Sequence, residues 1–243
     1  MRTRLVIVGI VLVCAGTVLG VFIGAAFLWG WAGLAVCTAG AALSILGYVQ
    51  LVRPWHARWG ATDEEVERMM PGDEIIYGAS STTRAISIGA TPELVWPWLV
   101  QIGYGKAGWY SYDWIDNDGE PSADRIVPEF QDLKPGDLIQ MLPGFGPDVI
   151  EVVPDGHLLA GDREGGSWCL ALYPEPGGSR LVSRWRQKWT AEGIASRFFI
   201  TLSDPGAFIM EQRMLRGIKE RAELGSVPQA ASGDQLRVDT HEA

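Results

Sequence analysis

The chain has 243 residues, with 29 acidic and 20 basic side chains and a formal net charge of −9. This balance argues against nonspecific nucleic-acid binding, whose affinity comes mainly from cations that neutralise phosphates. Its three cysteines, Cys14, Cys37 and Cys169, allow neither a disulfide framework nor a metal-ligand spacing, so we expect them only to pack.

The N-terminal quarter is almost continuously apolar from position 5 to position 52, and the first 62 residues contain four Arg and no acid. A bilayer core of about 30 Å takes roughly 20 helical residues, so this stretch is too long for one span and suits two. The sequence therefore predicts a transmembrane helical hairpin in residues 1–58, with spans at about 5–28 and 32–52. Trp29, Gly30 and Trp31 form the predicted turn.

Basic residues flank both spans, whereas the turn carries no charge. Arg2 and Arg4 precede the first span, and Arg53, His56 and Arg58 follow the second. Positive residues remain on the cytoplasmic side of a membrane. The pattern predicts a multi-pass protein of the inner membrane whose two termini and soluble domain are cytoplasmic.

Small residues recur along one face of each predicted span. The repeats are Gly16, Gly20 and Gly24, then Gly33, Gly40 and Gly47. Such faces allow close helix packing in lipid, either within the hairpin or in a homodimer. A cleaved signal peptide ending near Ala26 is an alternative reading of the first span.

The remainder of the chain has globular composition, and we expect one soluble domain at 59–225 followed by a disordered tail at 226–243. Residues 63–243 carry 29 acids against 16 Lys and Arg, a net charge of −13. This part has no broad basic face for anionic headgroups.

Two short helices are predicted early in the domain. Thr62 begins a capping box whose helix runs to about Met70. After a strand at 82–88, Thr91 caps a second helix, which ends before Gly103. The aromatic and acidic segment 104–118 lacks clear periodicity and predicts a loop with a short helix.

The second half is predicted to be rich in strands. The expected strands cover 138–141, 149–153, 157–160, 167–173 and 180–189. Asp204, with Pro205 at the first helical position, predicts the start of a C-terminal helix. Its apolar stripe consists of Phe208, Met214, Leu215, Ile218 and Ala222. The element order is that of an α+β fold.

Three stretches carry a family resemblance: Trp-Pro-Trp-Leu-Val-Gln-Ile-Gly at 96–103, Gly-Trp-Tyr-Ser-Tyr-Asp at 108–113 and Ser-Ala-Asp-Arg-Ile-Val-Pro-Glu at 122–129. They resemble a bacterial branch, without an established activity, of the START-like (SRPBCC, polyketide cyclase and lipid-transport) superfamily. The resemblance covers roughly 59–224. It implies a helix-grip domain, in which a curved antiparallel sheet surrounds a long C-terminal helix and a hydrophobic cavity.

Aromatic residues suitable for lining that cavity are plentiful. The candidate ligand-binding residues are Trp96, Trp109, Tyr110, Tyr112, Trp114, Arg125, Trp168 and Trp185. Apolar clefts with a few polar groups are the usual form of small-molecule sites. The alternative is that most of these aromatics are core.

Candidate catalytic residues are few. Asp113 with Arg125 or Glu129 would supply a polar group for proton transfer or ligand binding, or else a structural ion pair. The loop containing Asp113, Asp116 and Asp118 fails the EF-hand pattern, so no metal is expected. No glycine-rich phosphate loop is present, and no cofactor is expected.

Basic residues alternate along the last predicted strand at Arg184, Arg186 and Lys188. They suit an anionic ligand or, alternatively, pairing with neighbouring acids. The acids considered are Glu151, Asp162 and Glu164. His157 follows a Pro-Asp-Gly turn and is expected at a strand start near solvent, without a nucleophile partner.

These observations support three functional hypotheses. The first is a membrane-anchored domain that binds a hydrophobic or amphipathic molecule of the lipid or isoprenoid class. The second is an enzyme of the polyketide cyclase type that uses acid–base residues in the same cavity. The third is a membrane-bound interaction module without a ligand.

Overall fold

The structure is a computed structural model that describes residues 2–75, 80–162, 165–187 and 194–226. Its helices are α1 (Arg2–Gly47), α2 (Arg53–Ala57), α3 (Asp63–Glu67), α4 (Pro92–Val100), α5 (Asp113–Asp116) and α6 (Ile194–Ser226). Its strands are β1 (Ser80–Ile88), β2 (Asp148–Val153), β3 (His157–Asp162), β4 (Gly166–Glu175) and β5 (Gly178–Gln187). The predicted tail at 226–243 lies outside the described residues except for Ser226, which ends α6.

The strands form one antiparallel sheet in the order β1-β5-β4-β3-β2. Tight turns join β2 to β3 and β4 to β5, with Asp155 (φ 57°) and Gly177 (φ 85°) in left-handed conformations that short polar residues and glycine tolerate. Helix α6 packs on one face, which we call the inner face. The prediction of an α+β fold is confirmed, and the arrangement is consistent with a helix-grip fold.

The main core lies between the inner face and α6. Leu170 and Leu181 of the sheet and Leu215 and Ile218 of α6 are all 0% exposed. Burying an apolar side chain of this size stabilises the folded state by roughly 1.5–3 kcal/mol. A Cβ atom at Gly217 would lie 2.3 Å from the carbonyl oxygen of Tyr110, so only glycine permits this close approach of α6.

The opposite, outer face of the sheet has a smaller core, covered by the segment at 58–75. Its buried apolar residues are Met70, Ala85, Leu159, Cys169, Ala171 and Val182. Arg184 on β5 fastens the segment, since its five guanidinium N–H groups match five acceptors at 2.6–3.1 Å. The acceptors are Thr83 Oγ1, Asp73 Oδ2 and the carbonyl oxygens of Glu65, Val66 and Arg68.

The basic residues of β5 therefore have partners other than the acids considered from the sequence. Arg186 shares Asp73 with Arg184 at 3.2 Å, and Arg180 forms a bidentate pair with Glu65 at 2.7 and 2.9 Å. Glu151 instead contacts His157 at the start of β3. Lys188 and Glu164, and the side chain of Asp162, lie outside the described residues.

The apolar N-terminal stretch is one helical element, so the prediction of two separate helices is wrong in that respect. Only Gly30 departs from helical geometry, with φ 56° and ψ −139°. Glycine takes this conformation without a steric penalty, and the flanking Trp29 and Trp31 remain helical instead of forming a turn. A Cβ atom at Gly33 would lie 2.3 Å from the carbonyl oxygen of Ala25. In a straight helix, positions eight residues apart are separated by about 12 Å along the axis. The close approach of Gly33 to Ala25 therefore requires a sharp kink in α1, which lies at Gly30.

Both ends of α1 contact the globular part of the protein. At its start, the backbone N–H of Thr3 donates to Asp118, and Arg4 donates to the carbonyl oxygen of Pro143 at 2.6 Å. At its far end, a π-helical turn at Tyr48–Val52 leads into α2, where Arg53 pairs with Asp204 of α6 at 2.9 Å.

Three predicted boundaries differ from the structure. Helix α3 ends at Glu67 rather than near Met70, because Arg68 adopts an extended ψ of 137° before Pro71. The predicted strand at 138–141 is reduced to one bridge between Leu138 and Asp148.

The third difference concerns the C-terminal helix, which begins ten residues before the predicted cap. Helix α6 starts at Ile194 and continues through Pro205. The carboxylate of Asp204 does not cap a helix because it accepts hydrogen bonds from Arg53 at 2.9 Å and from the Tyr48 hydroxyl at 3.3 Å.

Candidate functional site

A row of three indole rings lies on the inner face. Trp168 of β4 and Trp185 of β5 are directly opposed cross-strand neighbours and stack with centroids 4.8 Å apart. Trp109 extends the row to a centroid distance of 5.9 Å from Trp168. Gly108 (φ 80°) and Tyr110 (φ 54°) both have positive φ on either side of Trp109, which turns this loop towards the sheet.

A buried polar network continues from the central indole. The indole N–H of Trp168 donates to Ser183 Oγ at 3.0 Å, and Ser183 donates to Glu211 Oε1 at 2.6 Å. Arg84 of β1 donates through Nη1 to the second oxygen of Glu211. Arg84, Ser183 and Glu211 are 2%, 0% and 9% exposed, so an ion pair joins the edge strand to α6 away from water.

Arg84 is incompletely satisfied in this network. Its Nε atom donates to the carbonyl oxygen of His56 at 3.0 Å, and its Cζ atom lies 5.2 Å from the ring centroid of Phe208. Its Nη2 atom is buried without a hydrogen-bond partner among the described residues. Leaving such a donor unpaired costs about 1–3 kcal/mol, so it is a group with unused binding capacity.

The network reaches the end of the apolar N-terminal element. The His56 ring stacks on Phe208 at 5.0 Å and on Tyr48 at 5.6 Å, and its Nε2 atom lies 2.6 Å from the Tyr48 hydroxyl. The Tyr48 hydroxyl also donates a hydrogen bond to the carboxylate of Asp204, which accepts another from Arg53. Polar groups therefore run from the apolar N-terminal element to the indole row.

A second buried ionisable group is Asp116 on α5. It is 4% exposed, and neither of its carboxyl oxygens has a hydrogen-bond partner in the described part of the chain. Burial, followed by the nearby charge of Asp113, raises its pKa to about 7. The raised pKa favours the protonated, uncharged form of Asp116.

The structure divides the predicted ligand-binding residues into four groups. Trp109, Trp168 and Trp185 come together in the indole row, where Trp109 and Trp168 also belong to the main core. Trp96 and Tyr110 are buried in the main core, and the Tyr110 hydroxyl lies between Gln101 Nε2 (2.9 Å) and the Trp98 carbonyl oxygen (3.2 Å). Tyr112 is half-buried, and the exposed residues are Trp114, at 57%, and Arg125.

The predicted polar cluster is not assembled. Asp113 accepts hydrogen bonds from the backbone N–H of Ser122 at 3.0 Å and from its hydroxyl at 2.5 Å, which fastens the loop. The side chains of Arg125 and Glu129 are exposed, and no ion pair joins Asp113 to either of them within the described ranges. Acid–base chemistry by these three residues stays a prediction.

Sequence reasoning missed Arg84 and Glu211 although both carried a signal. Arg84 alternates in phase with Ile86 and Ile88, so it belongs to the buried face of β1. Glu211 lies three residues after Phe208 and four before Leu215, within the apolar stripe of α6. A charged residue in the middle of each apolar pattern indicated a buried pair.

No protein-family profile and no curated protein sequence matches the chain. Solved structures with partial similarity include protein CV1439 from Chromobacterium violaceum, with a TM-score of 0.37, 14% identity, and coverage of 59% of this chain and 98% of that one. The polyketide-cyclase-like protein Cgl2372 from Corynebacterium glutamicum has a TM-score of 0.30 and 18% identity, over 62% of this chain and 90% of that one.

CalU16 from Micromonospora echinospora also has a TM-score of 0.30 and 18% identity, over 60% of this chain and 85% of that one. The fold itself is α+β, with a five-stranded antiparallel sheet and a long C-terminal helix that enclose a buried ion pair beside a row of indoles.

Proposed function

We propose that this protein is a membrane-tethered START-like domain that binds a hydrophobic or amphipathic small molecule, of the lipid or isoprenoid class, at the cytoplasmic face of the membrane. The observation that carries the proposal is the inner face itself. Its indole row combines the buried Trp109 and Trp168 with the partly buried Trp185, and Arg84 adds a buried donor without a partner in the described part of the chain. Apolar surface with a few placed polar groups is what such ligands require.

The proposed tether is the N-terminal apolar element. One helix, Arg2–Ala57, is long and apolar enough to cross a membrane. Large apolar side chains along it are exposed, including Leu12 at 66%, Phe27 at 88% and Leu51 at 77%. In our proposal the kink at Gly30 lets the element cross the bilayer twice and leaves the flanking Arg residues in the cytoplasm.

Such a tether would hold the inner face close to the bilayer. Contacts of Thr3 with Asp118 and of Arg53 with Asp204 leave little free linker between the apolar element and the domain. The tight loop at 142–146 lies beside Arg4 and exposes 64% of Phe145. A ligand dissolved in the membrane would reach the domain without crossing much water.

Native mass spectrometry of the full chain in nanodiscs containing a bacterial lipid extract tests this function. We expect one retained molecule per chain. Release of the bound molecule with an altered mass would instead favour an enzyme of the polyketide cyclase type. A chain that carries no ligand at any extract concentration would contradict binding.

Two matched variants localise the retained molecule. Trp185→Leu removes an indole from the inner face, and Tyr173→Leu removes an aromatic ring from the outer face, where Arg68 lies 4.7 Å from its centroid. We expect the first variant to lose the ligand and the second to retain it. Equal retention by both variants would place the molecule elsewhere.

A further inference from the structure

The buried guanidinium of Arg84 indicates which polar end a ligand would carry. Two of its three nitrogens are occupied, Nε by the His56 carbonyl oxygen and Nη1 by Glu211, whereas Nη2 is buried and has no partner in the described part of the chain. A buried N–H group calls for an acceptor atom. An acceptor supplied from outside the chain would complete the set.

Atoms around this nitrogen come from three elements. Arg84 is on β1, Glu211 and Phe208 are on α6, and His56 is on α2. The Phe208 ring packs against both Arg84 and His56. The Nδ1 atom of His56 is likewise buried without a hydrogen-bond partner in the described ranges. The site therefore offers polar atoms next to an aromatic ring, at the β1 edge of the sheet and beside α2.

Charge balance decides the chemistry of the acceptor. Arg84 is neutralised by Glu211, and Arg53 is neutralised by Asp204. An anionic headgroup would add an uncompensated buried charge next to Glu211, which is strongly unfavourable. An uncharged oxygen adds an acceptor and leaves the balance unchanged.

We propose that the inner face selects an uncharged amphipathic molecule whose alcohol, ketone or ester oxygen accepts a hydrogen bond from Arg84. The inference rests on the proposed function, since it presupposes that the inner face binds a ligand. It excludes fatty-acid anions and phosphorylated lipids as preferred occupants.

Equilibrium dialysis of the nanodisc-embedded full chain against radiolabelled 1-decanol and decyl sulfate tests the selectivity, with partition into empty nanodiscs subtracted. The probes share a ten-carbon chain and differ in head charge. We expect 1-decanol to bind at one molecule per chain, at least about tenfold more tightly than decyl sulfate. Saturable binding of neither probe would defeat the proposed function as well, whereas tighter binding of decyl sulfate would overturn this inference alone.

Matched variants test the role of Arg84. Arg84→Lys keeps a cation for Glu211 but removes the free N–H groups, and we expect about a tenfold loss of 1-decanol affinity. Arg184→Lys changes a similarly buried arginine on the outer face and should leave that affinity unchanged. An unchanged affinity in Arg84→Lys overturns the inference.

Glu211→Gln provides a variant that keeps Arg84 intact. It keeps one acceptor oxygen, replaces the other by an NH2 donor and leaves the positive charge of Arg84 uncompensated. We expect its preference to shift towards decyl sulfate by at least tenfold relative to the unaltered chain. A purely structural ion pair would lower both affinities together, and that result would contradict the proposal.

Discussion

Two buried arginines on neighbouring strands of the sheet differ in how completely they are satisfied. Arg184 on the outer face is 3% exposed and has five acceptors for its five N–H groups. Arg84 on the inner face is 2% exposed, and its Nη2 atom lacks a partner among the described residues. Similar burial thus accompanies different degrees of hydrogen bonding.

This difference separates a structural role for Arg184 from the binding role proposed for Arg84. Arg184 draws four of its five acceptors from the segment at 58–75 and fixes that segment on the sheet. Arg84 joins β1 to α6 through Glu211, and its Nη2 atom has no hydrogen-bond partner in the described part of the chain. The outer face is closed by the chain itself, whereas we propose that a molecule from outside completes the inner face.

The largest expected effect comes from removing the outer arginine. Arg184→Leu leaves Asp73 and three backbone carbonyl groups without their main donor, and we expect a loss of about 3–5 kcal/mol in the free energy of unfolding. Denaturant unfolding in detergent measures it. Arg213→Leu, which breaks the exposed pair with Glu220, serves as the control and should cost less than about 1 kcal/mol. Equal losses would mean that the contacts of Arg184 do not fix the outer segment on the sheet.

Asp116 provides a contrast with the two arginines, because protonation removes the charge of this buried carboxyl group. Its pKa in the folded state is about 7 against 3.8 for the ordinary group, so the folded chain retains a proton that the unfolded chain releases between these values. Stability should therefore fall as pH rises from about 4 to 7. Asp116→Asn should remove this pH dependence and raise the free energy of unfolding by on the order of 2 kcal/mol at pH 8.

Thermal unfolding of both chains between pH 4 and pH 8 measures that slope. Asp113→Asn serves as the comparison, because it removes the neighbouring charge and leaves Asp116 in place. A chain whose stability rises through this pH window would show that Asp116 is ionised in the folded state.

A smaller effect is expected at the indole row. Trp168→Phe removes the N–H group that reaches Ser183 and reduces the stacked area against Trp185, at a cost of about 1–2 kcal/mol. Trp114→Phe on the exposed side chain should change stability by less than about 0.5 kcal/mol. Chemical denaturation of the two variants distinguishes them, and equal costs would mean that the row is not a packed unit.

The smallest expected effect lies at the rim of the outer face. Arg180→Lys replaces a bidentate pair with Glu65 by a single contact in a partly exposed position, and should cost about 0.5–1 kcal/mol. Ligand affinity should not change, because Arg180 lies on the side of the sheet away from α6. A loss of ligand binding in this variant would connect the outer face to the site.

Local patterns in the sequence were sufficient to predict most of the sheet. Alternation identified β1, and the Pro154-Asp155-Gly156 turn placed β2 and β3 on either side of it. The start of α6 could not be read locally, because Asp204 has the form of a helix cap but pairs with Arg53, 151 residues earlier. The strand predicted at 138–141 failed because Leu138 forms one bridge and the chain then turns.

The candidate site was predicted only in part. Aromatic content identified Trp109, Trp168 and Trp185, but could not distinguish them from Trp114, which is exposed. The pairing of Arg84 with Glu211 joins residues 127 positions apart, and no local pattern specifies such a partner. Their in-phase positions in β1 and α6 indicate burial, and only the tertiary structure shows that they meet.

Photocrosslinking tests the central claim most directly. A 1-decanol analogue with a diazirine near its hydroxyl group would be activated on the full chain in nanodiscs, and the labelled peptides sequenced by mass spectrometry. The account predicts labelling of α6 between Phe208 and Ile218, opposite Arg84, and none in the segment at 58–75. Labelling of that outer segment, or of the apolar helix alone, would contradict a binding site on the inner face.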